Sequence, residues 1–222
     1  MSKETTLLPL HVDIVSDVVC PWCIIGYKQF EKALAMLPDR FDVSLKWHPF
    51  ELNPQMPEEG QDMREHLAQK YGATAEQSRA TRERLSALGQ SLGFDFNYVD
   101  DMRMVNTFRA HQLLHWADQQ HRQTELKLVL FEAFFSRRED VGDPRVLAAA
   151  AGRAGLSATD AAAVLDDARY ASTVRAQQQV WLDREVHAVP TFVFNRQYQV
   201  PGAQEAETFL RILNKIETSN AA

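Results

Sequence analysis

Over residues 10–17 (LHVDIVSD) apolar and polar side chains alternate in a stretch rich in β-branched residues, which predicts a β-strand. From Pro21 to about Leu37 the period lengthens. Ile24, Ile25, Phe30, Ala33, Leu34 and Leu37 recur at helical spacing, and Pro38 closes the run, as an amphipathic helix requires. Residues 41–50 (FDVSLKWHPF) return to alternation, with Phe41, Val43, Leu45 and Trp47 on one side and an end near Pro49. The order is strand, helix, strand, and the helix is long enough to serve as the crossover of a parallel βαβ unit.

A proline-rich loop, PFELNPQMPEEG, follows, and from about Gln61 to Val186 the pattern is almost continuously helical. Breaks fall at Gly72, at Gly93 to Asp101, around Gly142 to Pro144, and at residues 154–160, where Ser157 and Asp160 loosely match a capping box with Asp in place of Glu or Gln. Several amphipathic helices with short connections predict a helical subdomain. The period then shortens again. In VPTFVFNRQYQVPG, Thr191 to Phe194 and Tyr198 to Val200 flank a turn at Asn195 and Arg196, which reads as a hairpin. A last helix, about Ala203 to Ile216, turns Phe209, Leu210, Ile212, Leu213 and Ile216 inward. With the helical block removed, βαβ and ββα remain around one sheet. The expected class is therefore α/β with a large all-α insertion between the two halves, residues 1–57 and 184–222 forming one discontinuous domain and 58–183 the insertion.

With 222 residues, 45% of them hydrophobic, the chain can bury a substantial core without a disulfide staple. A net charge of -6 argues against nucleic acid as a partner, since phosphate binding calls for clustered basic surface. No apolar run reaches the roughly eighteen residues of a membrane span. The opening MSKETTLLPLHVDIVSD has one early Lys beside a Glu and an apolar stretch interrupted by Pro9, His11 and Asp13, which makes a poor export signal. The expected compartment is the cytoplasm, where a lasting structural disulfide is disfavoured and a catalytic one is not.

That distinction bears on DVVCPWCIIG, which holds the chain's 2 cysteines, Cys20 and Cys23. Cys20 falls where the first strand gives way to the first helix, and Pro21 occupies the first helical position, where a missing N–H costs nothing. Cys20 is thus a natural N-cap. Its sulfur is expected to face unpaired N–H groups at the positive end of the helix dipole, which favours thiolate. Cys-X-X-Cys thiols in such settings ionise at about 3.5 to 7.5, against about 8.5 when free. Cys23, one turn further and shielded by the helix, is suited to resolving a mixed disulfide. A zinc clip using His111 and His115, at i and i+4 of a predicted helix, is the metal alternative, but there is no second cysteine pair to complete it. An inert buried pair is the other alternative.

The residues resemble a known family. Cys20-Pro21-Trp22-Cys23 at a helix start, a helical insertion after the second strand, and VHAVPTFVF before the terminal hairpin are similar to DsbA-type oxidoreductases of the thioredoxin fold. The FrnE-like branch is the closer likeness, through DVVCPWCIIG (17–26), PFELNP (49–54), NTFRAH (106–111) and VPTFVFN…VPGAQ (189–204), matches that spread from residue 13 to 210. The resemblance implies a redox-active Cys20–Cys23 pair and a cis peptide between Val189 and Pro190 beside it. It also implies that the Val189 backbone holds a substrate peptide or glutathione, with Pro21 and Trp22 lining the contact. Two positions depart from the relatives. Ile14 stands where many carry a buried acid, and neither Asp13 nor Asp17 replaces it by spacing. Trp22 stands where DsbA itself has a histidine.

Among other residues, Glu51 and Asn53 follow the second strand and either approach the cysteines or cap the loop. Asn106, His111, His115 and Trp116 share one predicted helix, whose histidines sit at the subdomain's surface or line a cleft. The basic run at 79–84 and Arg137-Arg138 read as solvated helix faces, and Phe131, Phe134 and Phe135 as core. The expected activity is thiol–disulfide exchange on a disulfide-containing protein or a glutathione-type thiol, with no metal and no organic cofactor, glutathione serving as a co-substrate. The rival enzyme class is the glutathione-dependent isomerases and transferases of the kappa and 2-hydroxychromene-2-carboxylate types, which resemble the chain in architecture but carry Ser where Cys20 stands. A non-catalytic peptide-binding protein is the third class.

Overall fold

The computed structural model describes residues 7–220; residues 1–6 and 221–222 lie outside it. Strand β1 (Leu8–Ser16) leads through α1 (Pro21–Ala35) to β2 (Phe41–Pro49), and β1 and β2 pair in parallel, with Ile14 opposite Trp47. The insertion follows. It comprises β3 (Gln61–Asp62), α2 (Met63–Tyr71), α3 (Ala75–Ser91), β4 (Arg103–Met104), α4 (Phe108–Gln119), α5 (Gln123–Phe131), a π-helical turn at Glu132–Ser136, α6 (Pro144–Arg153), α7 (Ala158–Asp167) and α8 (Ala171–Asp183). The chain returns as β5 (Thr191–Phe194), β6 (Tyr198–Pro201) and α9 (Ala206–Asn220). The four-stranded sheet has the order β2-β1-β5-β6, in which β5 lies antiparallel to both its neighbours. This is a thioredoxin-type fold interrupted by a helical insertion.

Central strand β1 is buried on both faces from Val12 to Ser16, which explains why its alternation is of residue type more than of exposure. On one side α1 and α9 pack through Phe30, Phe192, Phe194 and Phe209. Phe30 and Phe209 are 5.6 Å apart, Phe192 and Phe209 4.8 Å, both edge to face. The insertion closes the other side and seals the edge of the sheet. The Trp47 N–H donates to Gln123 Oε1 at 2.9 Å and Gln123 Nε2 donates to the Trp47 carbonyl at 3.0 Å, so one side-chain amide takes the place of a neighbouring strand. The Trp47 indole also donates to Thr124 Oγ1 at 3.0 Å.

Two details differ from the helical periodicity. The insertion includes a two-residue antiparallel ladder, Gln61 with Met104 and Asp62 with Arg103, so it is not purely helical. Its helices also break where no glycine or proline stands: His121, Arg138 and Ala168 adopt left-handed φ of 55°, 58° and 47°. The capping box in this region belongs to Thr74 and Gln77, which satisfy each other's backbone N–H, whereas Ser157 caps α7 without a returned bond from Asp160. Among the described residues no helix is long and apolar enough to cross a membrane.

Candidate functional site

Strand β1 ends at Ser16, and a tight turn sets Cys20 as the N-cap of α1: the Cys20 N–H donates to the Asp17 carbonyl at 3.3 Å and the Cys23 N–H to the Cys20 carbonyl at 3.1 Å. Pro21 sits at the first helical turn as its rigid φ requires. The sulfur does not cap the helix, contrary to the expectation from sequence. With Cys20 at φ -93° and ψ 112°, no side-chain capping bond forms, and the thiol instead donates to the Val189 carbonyl at 3.7 Å. The Val189–Pro190 peptide is cis. Pairing of Val15 with Thr191 fixes this turn beside the end of β1. Gly26 lets α1 approach it: a Cβ there would lie 3.2 Å from the Phe192 ring and 3.3 Å from Pro190.

Both cysteines are free thiols. Cys20 is 3% exposed and Cys23 not at all, so the difference in access is small but has the sense that the helix geometry requires. Burial, then the hydrogen bond and charge of Cys20, push the Cys23 thiol well above its usual range, while Lys127 and the Asp17 backbone pull the other way. Cys23 therefore rests protonated.

A cavity of about 890 Å³ opens over Cys20, between the sheet and the insertion. Pro21, Trp22 and Val189 line it beside the sulfur, Glu51 and Asn53 enter from the loop after β2, and Leu67, Leu85, Tyr98 and Phe135 supply an apolar wall. Asn53 Oδ1 accepts from Lys70 Nζ at 2.7 Å, which also donates to the Leu52 carbonyl at 2.7 Å. Glu51 accepts from Gln178 at 2.9 Å and pairs with Arg175 through the same oxygen, and its Oε1 has no partner among the described residues. Asn106 and His111 are elsewhere. Asn106 holds the loop by donating to the Met56 carbonyl at 2.6 Å and accepting from the Phe108 N–H at 2.9 Å. His111 is buried rather than on the subdomain's surface. His115 contacts Gln177 and Gln119. The basic run is not wholly a solvated face either: Arg82 lines the cavity, donating to the Val99 carbonyl at 3.2 Å, and the Arg84 guanidinium lies 5.6 Å from the Trp22 ring.

A buried charged group brings together Asp17 and His111, which the sequence did not connect, with Lys127, which it did not single out. Asp17 accepts from the Leu52 N–H at 2.8 Å through one oxygen and meets His111 Nε2 at 3.2 Å through the other. Lys127, 1% exposed, holds its ammonium 5.3 Å from the Trp47 ring and 5.0 Å from the Phe131 ring. Burial pushes it down to about 8, against the charges of Cys23, Asp17 and Cys20, which raise it. A lysine among Leu126, Leu130 and Phe131 was the available signal, since a lone charge on an apolar helix face is seldom there for solubility. Ile14 is fully buried in the apolar centre of the sheet. Among the described residues, no cluster of three or more His, Cys, Asp or Glu side chains is arranged to hold a metal ion, and His111 is engaged with Asp17.

The family model for a DSBA-like thioredoxin domain matches residues 11–214. A probable DsbA oxidoreductase from Streptomyces coelicolor is 36% identical, with a TM-score of 0.87 over 93% of this chain and 89% of its own. Uncharacterized protein YwbO of Bacillus subtilis is 26% identical over 93% of this chain and 97% of its own length. A 2-hydroxychromene-2-carboxylate isomerase superposes with a TM-score of 0.69 over 95% of this chain and 98% of its own, at 14% identity, which is a likeness of fold. The cysteine-bearing helix start, the Val189–Pro190 turn and the match across both halves of the sheet have one common reading: the chain belongs to the DsbA-like thioredoxin-domain family.

Proposed function

We propose that the protein is a cytoplasmic thiol–disulfide oxidoreductase that cycles between a Cys20–Cys23 disulfide and the dithiol. The observation that carries the reading is the position of the Cys20 thiol, at the cavity floor and 3.7 Å from the Val189 carbonyl, with a protonated Cys23 one turn behind. In the reducing direction Cys20 attacks a substrate disulfide, forms a mixed disulfide and releases one thiol. Cys23 then displaces the second thiol, closing the Cys20–Cys23 bond. The Val189 backbone and Pro190 hold the substrate's main chain, and Pro21 and Trp22 form the wall beside the reacting sulfurs. No bound cofactor is required, and glutathione fits the scheme as a co-substrate that returns the pair to its starting state.

The cavity falls within the roughly 300–1,000 Å³ typical of small-molecule sites, which supports a small disulfide or a glutathione adduct as substrate. Glutathione-coupled reduction of a low-molecular-weight disulfide by wild type and Cys20→Ser tests the proposal. Loss of turnover in the variant is expected, and equal rates would sink it. The same cavity favours a second reading, a glutathione-dependent isomerase acting on an aromatic substrate. In that case turnover survives Cys23→Ser, because glutathione's own thiol does the chemistry.

A further inference from the structure

We infer that the cavity over Cys20 takes small disulfides that carry a carboxylate on an aromatic body, with Lys70 and Arg82 holding the carboxylate. The inference rests on the oxidoreductase reading and names the substrate class that reading leaves open. The aromatic part follows from the wall. Tyr98 is stacked on Phe96 at 5.6 Å with the ring planes 1° apart, and Phe135 meets Tyr98 edge to face at 6.1 Å. Tyr98 and Phe135 line the cavity together with Leu85, and Trp22 stands beside Cys20. Rings fixed in this way offer a flat substrate both stacking and edge contacts, and about 890 Å³ accommodates an aryl group with its substituents.

The carboxylate follows from a one-sided lining in a chain whose net charge is -6. Lys70 Nζ is held by the Leu52 carbonyl and Asn53 Oδ1, both at 2.7 Å, and neither acceptor is charged. Arg82 lines the wall with its side chain 16% exposed, whereas Asp100, its partner at 3.1 Å, is 79% exposed and stands in water, where pairing is weak. Arg84 adds a third cation at Trp22. Among the described residues the one carboxylate in the lining is Glu51. Arg175 neutralises it, and its side chain is 2% exposed with the unpartnered Oε1 buried, so its charge does not face the open space. Burial keeps Tyr98 a neutral phenol, and burial followed by the Lys70 charge keeps His66 a neutral imidazole. A ligand therefore meets cations and neutral donors but no accessible anion.

The carboxylate takes no part in the exchange itself. The Cys20 thiolate bonds to one substrate sulfur, the substrate S–S bond breaks, and its electron pair leaves with the first aryl thiolate. Cys23 gives its proton to water, bonds to Cys20 and releases the second thiolate, so the disulfide is reduced by two electrons and the cysteine pair is oxidised by two. Lys70 and Arg82 act on encounter and binding. Their signature is therefore a selectivity between charged and uncharged disulfides that salt weakens.

The test uses full-length reduced protein and three disulfides. Dithio-bis-nitrobenzoate has both features, dithiodipyridine is aromatic and uncharged at neutral pH, and dithiodiglycolate keeps the carboxylates without the rings. Each second-order rate is divided by that of the same disulfide with mercaptoethanol, which removes intrinsic reactivity. At about 0.01 M salt the normalised rate for dithio-bis-nitrobenzoate should exceed each of the others at least about tenfold, the low end of electrostatic steering. Its advantage over dithiodipyridine should fade towards about 1 M, as the screening length falls from about 30 Å to about 3 Å. Lys70→Gln keeps a donor for Leu52 and Asn53 without the charge, and should lower the ratio of dithio-bis-nitrobenzoate to dithiodipyridine rates about threefold to fivefold. Arg82→Gln acts in the same sense, Lys70→Glu lowers the ratio further, and Lys70→Arg keeps it. Equal normalised rates for the three disulfides in wild type, or a ratio unmoved by both glutamine variants, overturns the inference. If Cys20→Ser consumes all three as fast as wild type, the oxidoreductase reading fails instead.

Discussion

The Cys20 thiol and the Val189 carbonyl oxygen meet at 3.7 Å although 169 positions separate them in the chain. Cys20 belongs to the first half of the sheet and Val189 to the turn that opens the second. The proposed exchange therefore places the Cys20 sulfur beside a backbone acceptor, with Cys23 one helical turn on. Replacing Cys23 by Ser should leave the first attack intact and strand the substrate on Cys20. Mass spectrometry of that variant, incubated with a small disulfide, is expected to find one substrate half bound per chain, on Cys20. An adduct absent there, or present elsewhere, would contradict the assignment of roles.

Trp22 is half-buried, lines the cavity beside Cys20 and carries Arg84 over its ring at 5.6 Å. Trp22→Ala removes this wall without touching either sulfur. Loss of one aromatic contact is worth about 1–2 kcal/mol, so KM for an aromatic disulfide should rise by about fivefold to thirtyfold. Steady-state kinetics with a small aliphatic disulfide as the comparison checks it, and an equal loss on both substrates would count against a binding role.

Asp17 is fully buried. Burial raises its carboxyl, but the hydrogen bond and charge of His111, the Leu52 N–H and the Lys127 charge outweigh that effect and leave it below its ordinary value. A carboxylate depressed in the folded state binds fewer protons than in the unfolded chain. Its stabilisation is therefore complete above the unfolded value of about 4 and is lost as pH falls through the folded value. Asp17→Asn should cost about 3 kcal/mol at neutral pH by leaving His111 and Lys127 short of their partner. Urea unfolding of both proteins at neutral pH and near pH 3 checks the sign: the gap should narrow in acid, and a gap that stays constant would exclude an ionised Asp17 as its source.

Gly89 shows a different constraint. A Cβ on this α3 residue would come within 2.5 Å of the Phe96 ring and 2.6 Å of the Phe94 carbonyl, and the latter cannot turn aside as a side chain can. Gly89→Ala should destabilise by at least about 2–3 kcal/mol, towards the upper range for overpacking, and displace the segment that presents Tyr98 to the cavity. Gly72→Ala is the comparison: its φ is 65°, with nothing near its missing Cβ, so its cost of about 1 kcal/mol comes from backbone strain alone. Chemical denaturation should rank the two in that order.

The regular periods carried most of the architecture. The β-branched alternation of β1 and β2, the closed helical run of α1 and the hairpin around Asn195 and Arg196 appear within a few residues of where their patterns place them. What periodicity does not contain is backbone geometry at non-glycine residues, so the helix ends at His121 and Ala168 have no signal in residue type. The site divides in the same way. Cys20 and Cys23 declare themselves by spacing beside Pro21, and Glu51 and Asn53 by following a strand. Asp17, His111 and Lys127 come from a turn and two separate helices, and their contact depends on how the insertion packs against β2, a long-range relation with no local pattern. Arg82 looked like one charge in a solvated run because its helix face is set by that same packing.

The split sheet has a consequence for how the protein is made. Strand β5 docks on the edge of β1 only after the insertion has been made, so a chain growing on the ribosome carries both cysteines long before the carbonyl that accepts from Cys20 has been synthesised. By then the insertion that walls the cavity is already complete. The assembled site thus arrives late in synthesis, with only β5, β6 and α9 still to follow Pro190. An immature chain offers two thiols beside an incomplete sheet, and only the later strands close the turn that faces them.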